Sequence, residues 1–122
     1  MKLVELFEHS SVNPFVGLVS AVDLKIKMIE AAGAGKPSSI FKSSLTGELN
    51  NLLKFITSGY KWTIPEPKLR SSFHRAIPSA VKQVEATIKD VEHGDLGAAK
   101  HELMSARKLL IKNSGLTFGD IE

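Results

Sequence analysis

The chain contains no cysteine, which excludes a disulfide framework and thiolate metal sites. It also has no apolar run approaching the roughly 18 residues that a membrane-spanning helix requires. The N-terminus, MKLVELFEHSS, places one Lys ahead of Glu5 and Glu8. It therefore lacks both the cationic start and the uninterrupted apolar stretch of a secretory signal, and a cytoplasmic protein is expected. Alternation of apolar and polar residues is nowhere sustained long enough for a sheet, and no low-complexity tract interrupts the chain. Charge imbalance is small too: the net charge is +3, mild for a dedicated nucleic-acid binder. Tyr and Trp occur once each, and Arg only three times.

What is present is helical periodicity. A chain of 122 residues with 43% hydrophobic and 24% charged content is expected to fold as one domain over residues 1–122. Residues 2–9 read as a short N-terminal helix. Asn13-Pro14 is a start signal, Asn as cap and Pro at the first helical position. Phe15, Leu18, Val19, Val22, Ile26 and Ile29 then share one face of a helix over about 14–32, with Asp23 and Lys27 paired on another. Gly33 offers a left-handed cap. A second helix over 39–58 carries Phe41, Leu45, Leu49, Leu52 and Ile56, with Thr46-Gly47-Glu48 as a weak point where it would restart and Gly59 as its stop.

Pro65-Glu66-Pro67 excludes helix, and Pro67 opens the next one. Leu69, Phe73, Ile77, Val81, Val84, Ile88 and Val91 keep helical spacing through Pro78. Proline disfavours helical geometry at the residue before it, so two helices meeting at Ile77 are an alternative. The unbroken stripe favours one helix over 67–92, kinked at Pro78. His93-Gly94-Asp95 is a tight turn, and a helix over 96–112 follows with Leu96, Ala99, Leu103, Ala106 and Leu110 inward. So short a turn makes the last two helices an antiparallel hairpin. Residues 113–122 read as a peripheral tail. The expected fold is all-α: a compact bundle of four main helices plus the short N-terminal one. The piece 94-GDLGAAKHELMSARKLL-110 looks like the second helix of a tetratricopeptide repeat, but it occurs once, where an array needs several copies.

Chemistry-bearing constellations are sparse. Glu5 with His9, and His93 with Asp95 and His101, fall short of the three or four converging ligands of a zinc site, so no metal site and no cofactor are expected. Ser71, Ser72 and His74 are sequence neighbours without a nucleophile elbow. In 33-GAGKPSS-39, Pro37 separates Lys36 from the serines and a helix precedes, which excludes a nucleotide P-loop. No catalytic residue is assigned, and a non-enzymatic protein is expected.

Two basic segments remain. Residues 61–75 carry Lys61, Lys68, Arg70 and Arg75 against Glu66, and residues 96–112 carry Lys100, Arg107, Lys108 and Lys112 against Glu102. With Tyr60 and Trp62 nearby, the first segment combines charge with aromatic faces, the mix used for phosphate contact and base stacking. The candidate nucleic-acid-binding residues are Lys61, Trp62, Lys68, Arg70, Arg75, Lys100, Arg107 and Lys108. The competing signal is apolar surplus. Val16, Ala21, Leu24, Met28 and Ala31 flank the main face of the first helix, and Leu53, Phe55, Leu109 and Ile111 exceed a single face elsewhere. That surplus favours a protein–protein interaction or assembly protein, a subunit of a homo-oligomer or larger complex. An accessory subunit binding RNA or DNA through its basic segments is the alternative, and no membrane partner is expected.

Overall fold

The computed structural model describes residues 13–33 and 36–115. Every regular element among them is helical: α1 (Phe15–Ala32), α2 (Ser39–Ser58), a 3-10 turn (Gly59–Lys61), α3 (Pro67–Glu92) and α4 (Leu96–Ser114). The short helix expected over 2–9, with its Glu5 and His9, lies outside the described residues, as does the tail from Leu116 onward.

The caps explain where the helices begin. Asn13 Oδ1 accepts from the Phe15 N–H at 2.9 Å. The Ser38 hydroxyl accepts from the Phe41 N–H at 3.0 Å, and Asp95 Oδ1 from the Ala98 N–H at 3.0 Å. The N-cap of α3 is Glu66, whose carboxylate accepts from the N–H groups of Lys68 and Leu69. Its position between two prolines had marked it only as loop. Each cap satisfies donors that a helix start otherwise leaves open. Between α3 and α4 the chain reverses at Gly94, where φ is +79°, a backbone region that side chains with a Cβ rarely adopt.

Two sequence expectations are corrected. Helix α2 is continuous through Thr46-Gly47-Glu48 and does not restart there. Helix α4 runs on to Ser114, so Asn113 and a buried Ser114 belong to the bundle and not to a peripheral tail. At Pro78 the outcome is one helix: α3 continues from Pro67 to Glu92 with the proline inside it. Pro78 is exposed, so the missing N–H lies on the solvent side and the apolar stripe is uninterrupted.

The helices pack as a four-membered ring in chain order, α1–α2–α3–α4, closed by α4 against α1, with the α1–α2 seam the thinnest. Directions follow from the polar ties. The Ser72 hydroxyl donates to the Asn113 carbonyl at 2.9 Å, joining the start of α3 to the end of α4. Asn13 Nδ2 donates to the Ser114 carbonyl at 3.0 Å, joining the start of α1 to the end of α4. Arg107 Nε then meets Asp23 Oδ1 at 2.6 Å, and Lys100 Nζ meets Glu30 Oε2 at 2.9 Å. The second pair lies seven residues on along α1 and seven back along α4, which is antiparallel register. Asp23 is thereby paired across the seam, not with Lys27 as its spacing had implied.

The inner stripes meet in one core containing Phe15, Leu18, Leu45, Leu49, Ile56, Phe73, Ile77, Leu103 and Leu110, all fully buried or nearly so. The surplus apolar residues Val16, Ala21, Met28, Leu53, Phe55, Leu109 and Ile111 are partly buried against that core. Much of the surplus that favoured assembly is thus used within the bundle.

Candidate nucleic-acid interface

The antiparallel ring brings four chain segments to one end of the bundle. There an aromatic cluster closes the core. Phe73 sits at its centre, edge-on to Phe15 (centroids 5.2 Å apart) and stacked on Trp62 (5.5 Å, interplanar angle 23°). Phe55 packs against Trp62 with a centroid distance of 5.3 Å and a tilt of 60°. The four rings come from α1, α2, the α2–α3 connection and α3.

Trp62 is only 6% exposed. Buried, with Phe73 stacked on it and Phe55 tilted against it, it offers no platform for a nucleic-acid base, and its assignment to a binding surface is replaced by a core role. Ile64 is buried beside it, and Arg70 Nη1 donates to the Ile64 carbonyl at 3.2 Å, holding the connection against α3. One guanidinium donor is used in this way, and four others remain. The exposed aromatic of the stretch is Tyr60, at 48% exposure, with its ring 5.5 Å from that of His74.

Above this cluster the surface is cationic. Residues 13–20, 54–75 and 108–115, which make up this end, carry seven Lys and Arg against Glu66 alone, whereas the remaining described residues carry eight cations and eight acids. The two basic segments that are separate in sequence therefore share one pole, since the Ser72–Asn113 tie places the start of α3 beside the end of α4. Charges gathered within one or two Debye lengths reinforce one another, which a spread of the same charges over the whole surface would not do.

Of the eight residues read from the sequence, Lys61, Lys68, Arg70, Arg75 and Lys108 are exposed at this pole. Lys100 and Arg107 are not part of it: both form ion pairs with α1, at Glu30 and Asp23. Lys54 and Lys112 are exposed there as well and were missed. The available signal was the three-residue turn, which makes α3 and α4 antiparallel and so puts residue 112 near residue 75.

Among the described residues, no group of three or more His, Asp or Glu is placed to hold a metal ion. His93 sits at the end of α3, where its Nδ1 donates to the Lys89 carbonyl at 2.8 Å. No helix of the described residues is long and apolar enough to cross a membrane. Among the described residues four large apolar side chains are exposed, Leu24, Ile40, Tyr60 and Met104, each on a different element. Single exposed apolar side chains of this kind are ordinary on protein surfaces. Compared with known proteins, the chain matches no family model, no curated protein sequence and no solved structure.

Proposed function

We propose that this helical bundle is a non-enzymatic nucleic-acid-binding accessory protein that contacts the phosphate backbone through its basic pole. The observation that carries the reading is the polar distribution of charge: seven cations against one acid at one end, and balance elsewhere. Lys61, Lys68, Arg70, Arg75 and Lys108, with Lys54 and Lys112, supply the contacts. Binding by a handful of such groups is salt-sensitive and independent of sequence. Trp62 and Phe73 serve the reading from below by fixing the surface that presents these side chains.

The test uses two triple charge reversals of equal net charge. Lys61→Glu with Arg75→Glu and Lys108→Glu changes the basic pole. Lys27→Glu with Lys36→Glu and Lys42→Glu changes the rest of the surface. With labelled RNA and DNA at low salt, the first is expected to lower affinity by about two orders of magnitude and the second far less. Equal losses would leave a general charge effect and no site. Assembly as a homo-oligomer or as a subunit of a larger complex is a separate proposal, and sedimentation of the same samples reads it: a monomer at all concentrations removes the homo-oligomer.

The bend expected at Pro78 also belongs to this reading. It sets the angle between the part of α3 that carries Lys68 and Arg75 and the part beyond. Residual dipolar couplings along α3 measure that angle, and Pro78→Ala is expected to straighten the helix by restoring the absent main-chain hydrogen bond.

A further inference from the structure

Exposed cations continue along α3 beyond the pole. Along α3 the cations are Lys68, Arg75, Lys82 and Lys89, spaced by seven residues each time. Seven residues are close to two helical turns, so the four follow a line that winds slowly, by about 20° per step, along one side of the helix, about 10 Å apart and about 30 Å from first to last. All four are exposed, and none is ion-paired among the described residues, whose three ion pairs all involve α1. Ion-paired cations occur elsewhere in the bundle, at Lys25, Lys100 and Arg107.

The residues between the cations say what the ridge does not do. Residues 76–92 contain no aromatic residue and no Asn, and their one Gln, Gln83, is half-buried. Stacking on bases and bidentate reading of adenine by Asn or Gln are therefore both absent from most of its length. Ser71, Pro78 and Ser79 are exposed near the line, and Ala86 is half-buried. Glu85 and Glu92 are also exposed on this helix, and Asp90 is half-buried. Glu85 lies one turn from both Lys82 and Lys89, and Glu92 one turn beyond Lys89, so the positive field is weaker along the upper half of α3 than at the pole.

We propose that this ridge is the docking line for a nucleic-acid duplex that lies along α3 and is held by its phosphates. The inference rests on the nucleic-acid reading of the basic pole and adds the class of partner and its direction. An array of point charges about 30 Å long along α3 is matched to a stiff polyanion, whose B-form turn repeats every 34 Å or so. A flexible single strand binds through grooves and stacking aromatics instead. Lys68 and Arg75 belong both to the pole and to the ridge, whereas Lys82 and Lys89 belong to the ridge alone.

That difference gives the experiment. Binding of the full chain to a labelled duplex two helical turns long is measured across a salt series. Each phosphate contact contributes about −0.9 to the slope of log affinity against log salt, so the ridge as a whole contributes about −3.6. Lys82→Gln with Lys89→Gln, both at exposed sites, is expected to make the slope shallower by about 1.8 and to lower duplex affinity at every salt concentration. An unchanged slope in that variant, with a loss in Lys68→Gln plus Arg75→Gln, overturns the ridge and leaves the pole standing. No binding of either variant or of the wild type to any nucleic acid overturns both. Single strands that bind as tightly as the duplex, or a sulfated polysaccharide that does so at equal charge, overturn the assignment to a duplex. Circular dichroism of each variant establishes that it is folded.

Discussion

Replacing Phe73 with Ala is expected to lower the stability of the domain by about 3–5 kcal/mol, the range for a fully buried aromatic truncated in a core. Phe73 is wholly buried and touches the rings of Phe15 and Trp62, so its removal opens a cavity where three elements meet. Neither neighbour can collapse freely into the space. Phe15 is itself fully buried at the first position of α1, and Trp62 is also packed against Phe55. Domains are stable by only about 5–15 kcal/mol, so the variant should lose a large part of its margin. Urea unfolding followed by Trp62 fluorescence measures it, and the emission of the folded variant should shift to the red as water reaches the indole. Tyr60→Ala, one residue from the 3-10 turn's start and half-exposed, is the control and should cost less than about 1 kcal/mol. A Phe73→Ala cost no larger than that of Tyr60→Ala would mean that the aromatic cluster does not close this end of the bundle.

The helices were legible in the sequence because their ends carry local chemistry. Ser38 and Asp95 cap helices, Gly94 reverses the chain and Pro67 opens α3, and each acts through residues no more than a few positions away. The stripes from Leu18 to Ile29 and from Leu96 to Leu110 likewise report a period that any partner would require. Pro78 was harder. Proline argues for a break, the stripe argues against one, and the deciding fact is that its ring sits on the exposed side of α3. Glu66 as a cap was illegible for a different reason: two flanking prolines hide a carboxylate whose role depends on the turn they create.

The candidate site was legible as composition and not as geometry. Every cation of the basic segments was visible, yet nothing local separates Lys108, which faces solvent, from Arg107, which pairs with Asp23. That separation depends on which helix lies beside α4 and in which register. Trp62 illustrates the opposite error. An aromatic among basic residues has the composition of a stacking platform, and only the closure of the bundle end turns it inward onto Phe73. The line of Lys68, Arg75, Lys82 and Lys89 runs from the basic segment 61–75 into residues 76–92, which carry two Lys against Glu85, Asp90 and Glu92, so a reading by segment charge divides it.

Gly59→Ala is expected to destabilise the protein by about 1–3 kcal/mol, the range for overpacking a well-filled core. The sign is the informative part. Gly59 has φ −56° and ψ −27°, ordinary right-handed backbone, where Gly→Ala normally stabilises a chain by reducing the freedom of its unfolded state. As a helix stop, which is how the sequence presents it, the glycine would be replaceable. A Cβ at Gly59, however, would lie 2.8 Å from Phe73 Cε2, 2.9 Å from Phe73 Cζ and 3.2 Å from Ile77 Cδ1. The Phe73 ring cannot retreat, because Phe15 and Trp62 are packed on it, and Ile77 is fully buried. The glycine is therefore required for close approach between the end of α2 and the start of α3, the contact on which the shape of the basic pole depends. A double-mutant cycle isolates that contact. Phe73→Leu shortens the side chain and removes the clashing ring atoms, so the two substitutions together should cost less than the sum of their separate costs by about 1 kcal/mol or more. If the costs simply add, or if Gly59→Ala stabilises the protein, α2 and α3 do not approach as closely as described, and the surface that presents Lys61, Arg70 and Arg75 is arranged differently.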